Sequence, residues 1–163
     1  MKITSTSARG NFEIKGDSGK KLLELTYSNW FASKAETSFE SNKIEIKLRN
    51  IWHSKFDILK NGVDNGDIGL DWKGNVNIKL KSVNGVEKQY LLKAIAFWKM
   101  GFELLDQNET KILALKQSFN WKRISYNYDI EIADNQKVNP EILELVIYSG
   151  FAANLYVAMA MGV

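Results

Sequence analysis

Asn139-Pro140-Glu141-Ile142-Leu143-Glu144-Leu145-Val146-Ile147-Tyr148-Ser149-Gly150-Phe151-Ala152-Ala153-Asn154-Leu155-Tyr156-Val157-Ala158-Met159-Ala160-Met161-Gly162-Val163 ends the 163-residue sequence, and after Glu144 it holds no charged residue. An Asx residue, a proline at the first helical position and an acid in the first turn form a helix start. The run therefore predicts a helix over 140–162. Plotted at 3.6 residues per turn it shows no polar face, only Ser149 and Asn154 among apolar and small residues. A helix that is apolar all round must be wrapped in protein or in lipid.

Upstream, the pattern has period two, the mark of half-buried strands. Phe12 and Ile14 alternate with Glu13 and Lys15, and Asp17-Ser18-Gly19 turns the chain. Leu23, Leu25 and Tyr27 form the next set, then Ile44, Ile46 and Leu48, then Phe56 and Ile58. Asn61-Gly62, Asn65-Gly66 and Trp72-Lys73-Gly74 read as turns around Val76, Ile78 and Leu80. Asn84-Gly85 is the strongest hairpin signal, because a type I′ turn needs positive φ at both central residues. Tyr90 and Leu92, Phe102 and Leu104, Ile112 and Leu115, and Ile124 to Ile132 continue the series. No linker or low-complexity tract interrupts it, so residues 1–163 read as one domain.

One pattern recurs. Phe12-Glu13-Ile14, a turn and Lys21-Leu22-Leu23-Glu24-Leu25 match Phe102-Glu103-Leu104, a turn and Lys111-Ile112-Leu113-Ala114-Leu115. A looser copy runs from Phe56-Asp57-Ile58 to Ile68 and Leu70. β-Hairpins share this grammar in general, and a barrel built from similar hairpins would show it too.

Ten or more antiparallel strands each expose one apolar face that must be covered, and closing the sheet removes its edges. A barrel that large is too wide for side chains alone to fill. A helix of about 23 residues is roughly 35 Å long, and strands of 8–10 residues span about 27–33 Å. The helix thus fits lengthwise as an axial plug, with Gly150, Ala152, Ala153, Ala158 and Ala160 allowing close approach. The rival is a tail anchor with 145–163 as the membrane span, since about 18–20 uncharged residues also suffice to cross a bilayer. Against it stand Ser149, Gly150, Asn154 and the absence of a basic flank beside Glu141 and Glu144. The expected fold is mainly β: a closed antiparallel barrel enclosing the C-terminal helix.

The hairpin grammar, the segment Trp121-Lys122-Arg123-Ile124-Ser125-Tyr126-Asn127-Tyr128-Asp129-Ile130 and the closing apolar helix resemble the tubby-like fold group. That group comprises tubby C-terminal domains, LURP-one-related proteins and phospholipid scramblases. The resemblance covers nearly the whole chain as a pattern, without a diagnostic peptide, and is most similar to small LURP-one-related and scramblase-like proteins. It implies a barrel of about twelve strands around a hydrophobic helix. The chain lacks the Cys- and Pro-rich regions of scramblases and any tubby-type signature, so no phosphoinositide-binding residue carries over.

The chemistry available is sparse. Cysteine is absent, which excludes disulfides, thiolate catalysis and Cys-ligated zinc. His53 is the one histidine, so any triad or His-ligated metal must use it. Its neighbours Ser54 and Asp57 are close in sequence only, and an ordinary strand histidine is the simpler reading. Asp64-Asn65-Gly66-Asp67-Ile68-Gly69-Leu70-Asp71 offers oxygen donors but misses the EF-hand spacing, and Asx with Gly is what a hairpin loop requires. No catalytic residue, metal ligand or cofactor is assigned; an enzyme or lipid-handling protein using His53 or the Asp64–Asp71 loop is the competing reading.

The net charge is +3, with 22 basic residues dispersed among 19 acidic ones. Lys79, Lys81 and Lys93 are expected on the outer faces of adjacent strands, and Lys122 and Arg123 adjoin Trp121. These five are the candidates for an anionic surface such as phospholipid headgroups, although alternating lysine is also how strands make a solvated face. Nothing favours nucleic acid. Trp30-Phe31, Trp52, Trp72, Trp98 and Trp121 are expected as barrel core and barrel-end plugs. Met1-Lys2-Ile3-Thr4-Ser5 leads into no apolar segment of the secretory type. The expectation is a monomeric, non-enzymatic binding or scaffolding module of the cytoplasm, peripheral to the membrane if it binds lipid.

Overall fold

Alternation becomes strand along most of the chain, and each strand hydrogen-bonds to the next because only short connections separate them. In the computed structural model, which describes residues 1–28, 34–50, 55–82, 84–95 and 101–160, the elements follow in this order. They are β1 (Lys2–Ser5), β2 (Phe12–Lys15), β3 (Lys21–Tyr27), β4 (Lys34–Phe39), β5 (Asn42–Asn50), β6 (Lys55–Lys60), β7 (Val63–Leu70), β8 (Val76–Lys81), β9 (Glu87–Ile95), β10 (Gly101–Asp106), β11 (Lys111–Asn120), β12 (Ser125–Ile132) and α1 (Pro140–Ala160). Every neighbouring pair is antiparallel, and β1 pairs with both β2 and β12, which closes the barrel. The twelve strands around one helix match the expected fold class.

The inward residues of each strand are the apolar ones: Ile3, Phe12, Ile14, Leu25, Ile44, Ile46, Ile58, Ile68 and Ile78 are essentially inaccessible. Residues Leu145 to Ala153 of α1 are all buried, against side chains from around the barrel. A side chain at Gly150 would meet Ile3 and Phe12. Phe151 stacks on Tyr27 at 5.7 Å and sits edge-on to Phe56 at 5.2 Å, and Tyr156 is edge-on to Phe102 at 5.3 Å. Asn139 caps the helix, its Oδ1 accepting from the Ile142 amide at 2.9 Å. Deeper in, the Asn154 amide donates to the Gly10 carbonyl at 3.2 Å and accepts from the Tyr128 hydroxyl at 3.3 Å. The one amide side chain of the plug is thus satisfied inside the protein.

The recurring pattern is architectural. Its three copies are β2–β3, β6–β7 and β10–β11, spaced four strands apart around the twelve. Each carries a register shift at the same place, after Ile14, Ile58 and Leu104, two residues beyond Phe12, Phe56 and Phe102. Each of these phenylalanines reaches the helix. The barrel is built with pseudo-threefold repetition about the helix axis.

Three local readings are corrected. Asn65-Gly66 is not a turn but lies within β7, which pairs with β6 and β8. Asn84-Gly85 lies in a five-residue connection rather than a two-residue turn: the Ser82 amide donates to Val86 O at 2.9 Å and the Gly85 amide to Ser82 O at 2.9 Å. The two-residue turns with positive φ at both positions are Asn61-Gly62 (52° and 80°) and Glu40-Ser41 (47° and 62°). β4 escapes the period-two reading because two of its three inward positions are Ala35 and Thr37. Both hide in the core without an apolar signature.

Tyr128 and Tyr148 are fully buried, and burial pushes both phenols far above their ordinary range. In the unfolded chain they ionise near pH ~10. Their contribution to stability is therefore complete below about pH 10 and is lost above it, at about 1.4 kcal/mol per pH unit for each tyrosine kept neutral. We expect cooperative alkaline unfolding, with the final rise in 295 nm absorbance coinciding with loss of the far-ultraviolet β signal. Complete tyrosine ionisation with an intact β spectrum would contradict this packing.

Candidate functional site

The five candidate cations divide into two groups. Lys79 and Lys81 lie on β8 opposite Gln89 and Glu87, while Lys93 lies past the Val76–Leu92 pair at which β8 begins. Each has a carboxylate partner: Glu87 at 3.7 Å from Lys79, Asp64 at 2.6 Å from Lys81 and Glu109 at 3.8 Å from Lys93. The expected lysine row on adjacent strands is therefore a lattice of ion pairs, the ordinary solvated wall of a barrel. Lys34, Lys43, Lys47, Lys55 and Lys116 on other strands are neutralised in the same way.

The Asp64–Asp71 stretch does not form a donor cluster. Asp64 pairs with Lys81, which holds its carboxyl below the usual range. Asp67 pairs with Lys55 at 3.3 Å. Asp71 belongs to the next connection, where its Oδ1 accepts from the amides of Lys73 at 2.8 Å and Asn75 at 2.9 Å. Among the described residues no group of three potential metal ligands converges. His53 lies outside the described residues, as do Trp30, Phe31, Trp52 and Trp98.

Lys122 and Arg123 stand apart from the wall lysines. They form the β11–β12 turn with Trp121 and Ile124. In an antiparallel barrel alternate connections share an end, so among the described connections this turn lies with segments 6–11 and 71–75. The contact between Asn154 and Gly10 brings the C-terminal half of α1 to the same end. Arg9, Lys73, Lys122 and Arg123 take part in no ion pair among the described residues. The other described cations without one, Lys20 and Lys137, are at the opposite end.

Aromatic residues follow the same polarity. Trp72 is 90% exposed and Trp121 84% exposed, so neither is the core residue or plug expected of it. The Asp71 turn fixes the backbone on either side of Trp72, and the Lys73 ammonium stands 5.2 Å from its ring. Trp121 is edge-on to Phe119 at 4.7 Å, and Phe119 is edge-on to Tyr126 at 5.2 Å. Ile124 is 76% exposed and holds φ +50°, a conformation unfavourable for a β-branched residue. Ile124 closes the β11–β12 turn and so places a large apolar side chain in water, next in sequence to Lys122 and Arg123.

At the opposite end a cleft of ≈ 330 Å³ adjoins the helix entrance, lined by Lys88, Tyr90, Asp106, Asn139, Glu141 and others. Lys88 and Glu141 pair across it, and hydrogen bonding to Glu141 raises the lysine pKa. No family model, curated protein or solved structure matches this chain.

Proposed function

We propose that the protein is a non-enzymatic binding module that docks an anionic, phosphate-bearing partner with the Trp72–Trp121 end of its barrel. A single observation carries this reading: the wall lysines are paired with carboxylates, whereas Arg9, Lys73, Lys122 and Arg123, at one rim, have no ion-pair partner among the described residues. Unpaired cations retain their full field for a ligand, while paired ones contribute little. Lys79, Lys81 and Lys93 accordingly leave the proposed site, and Lys122 and Arg123 remain in it. The same reading holds the chain to be tubby-like, monomeric, cytoplasmic and peripheral.

Retention of the full chain on phosphocellulose provides the test. Each cation at an anionic surface is worth about 1 kcal/mol, so the combined charge reversal K73E/K122E/R123E is expected to weaken binding by about 100-fold. K79E/K81E/K93E should leave it nearly unchanged. Equal losses in the two triple variants would mean that net charge, not the rim, drives retention, and would overturn the reading.

A further inference from the structure

Asn-Gly occurs at Asn61-Gly62, Asn65-Gly66 and Asn84-Gly85. The pair carries a chemistry of its own. A carboxamide beside a backbone nitrogen closes to a succinimide ring most readily when the next residue is glycine, which has no side chain in the way, and asparagine is accordingly a thermolabile residue. The fold gives the three pairs different freedom to react.

Asn61 is tied at both ends of its carboxamide. Its Oδ1 accepts from the Lys43 amide at 2.8 Å, and its Nδ2 donates to Asn42 Oδ1 at 2.8 Å. Asn65 is half-buried within β7. Beside it the Gly66 amide donates to Asp64 Oδ1 at 3.1 Å, and a Cβ on Gly66 would lie 1.9 Å from the Lys79 carbonyl oxygen, so this backbone is pressed against β8. Asn84 differs on every count. It is exposed in the β8–β9 connection, its carboxamide is bonded to no described residue, and a Cβ on Gly85 would meet nothing within 4 Å. Only the turn restrains it: the Gly85 amide donates to the Ser82 carbonyl at 2.9 Å, and Ser82 Oγ accepts from the Val86 amide at 3.1 Å.

We infer that Asn84 is a site of spontaneous deamidation and that Ser82 is the latch that sets its rate. When the turn opens, hydroxide takes the Gly85 amide proton and the nitrogen attacks Asn84 Cγ. The N–Cγ bond forms, the Cγ–Nδ2 bond breaks, and Nδ2 takes a proton from water and leaves as ammonia. Water then opens the succinimide at one carbonyl to give aspartate or at the other to give isoaspartate. Either product adds a carboxylate at the end of the barrel opposite Trp72 and Trp121, so the inference stands apart from the proposed docking.

The test is incubation of the full chain at mildly alkaline pH, followed by digestion and mass spectrometry of the three Asn-Gly peptides. Enzymatic methylation of isoaspartate supplies a second readout. Asn84 is expected to convert at least about tenfold faster than Asn61 and Asn65, because a turn closed by a few bonds opens far more often than a strand ladder. In denaturant the three rates should become similar. S82A removes one bond of the turn and should speed conversion at Asn84 by about threefold, with the rate at Asn61 and the thermal midpoint unchanged. Conversion of Asn61 or Asn65 as fast as Asn84 in the folded chain overturns the inference. So does an Asn84 rate that S82A leaves unmoved, or an Asn84 that reacts only in denaturant.

Discussion

Phe151→Asp is expected to abolish cooperative unfolding and leave a protein without a fixed core. Phe151 is 1% exposed between the rings of Tyr27 and Phe56, inside the barrel. Removing a buried phenylalanine costs about 3–5 kcal/mol, and an unpaired carboxylate in its place adds several kcal/mol more. The total approaches the whole stability of a typical domain, about 5–15 kcal/mol. Phe151→Leu keeps the site apolar and should cost about 1–2 kcal/mol. Near-ultraviolet circular dichroism and thermal scans of the two variants would check the contrast, and a native-like Phe151→Asp would refute an axial plug.

The same helix is long and apolar enough to cross a membrane, so its removal separates the plug from a lipid anchor. A plug cannot be removed without emptying the barrel, and the truncated chain lacking 145–163 should be insoluble or molten. An anchor can be removed, leaving a folded and soluble barrel. The contacts of Asn154 with Gly10 and Tyr128, and of Lys60 with Glu144, favour the first outcome.

Gly66→Ala is expected to be the most damaging of the glycine substitutions, at about 3–5 kcal/mol. A Cβ at this position would lie 1.9 Å from the Lys79 carbonyl oxygen, part of the β8 backbone, and φ is +143°. Neither obstacle yields to a side-chain rotation. Gly62→Ala is the control: φ is +80° there, but nothing lies within 4 Å, so only conformational strain of about 1 kcal/mol applies. Gly69→Ala, with Lys55 Cγ at 3.8 Å as its one near contact, should be close to neutral. Chemical denaturation of the three variants would test this order, and equal effects at Gly62 and Gly66 would mean that close strand approach is not what requires glycine at 66.

The candidate site was only half legible. Lys122, Arg123 and Trp121 could be picked out together because they are contiguous in sequence. Trp72 and Trp121 were expected inside because large aromatics are usually buried; the structure exposes both, since each sits in a connection rather than on an inward strand position. The wall lysines looked equivalent to the rim cations because one sequence does not reveal cross-strand partners. Asp64 and Lys81 are 17 residues apart, yet form an ion pair. His53 and the three remaining tryptophans lie outside the described residues, so for them only their position along the chain enters the account.

By itself the sequence determined the local chemistry: which stretches alternate, where the all-apolar helix begins, and that Phe12, Phe56 and Phe102 head similar hairpins. Period-two and 3.6-residue patterns are properties of neighbouring residues, and they survive in any fold that covers the apolar faces. Tertiary structure alone decided that β1 meets β12, that Asn65-Gly66 lies within a strand, and that the connections carrying Trp72 and Trp121 share one end. Those facts depend on pairing between distant segments. A turn signal of Asn and Gly cannot distinguish a reversal of the chain from a strand position crowded by its neighbour's backbone, and a tryptophan acquires an inside or an outside only when the barrel closes.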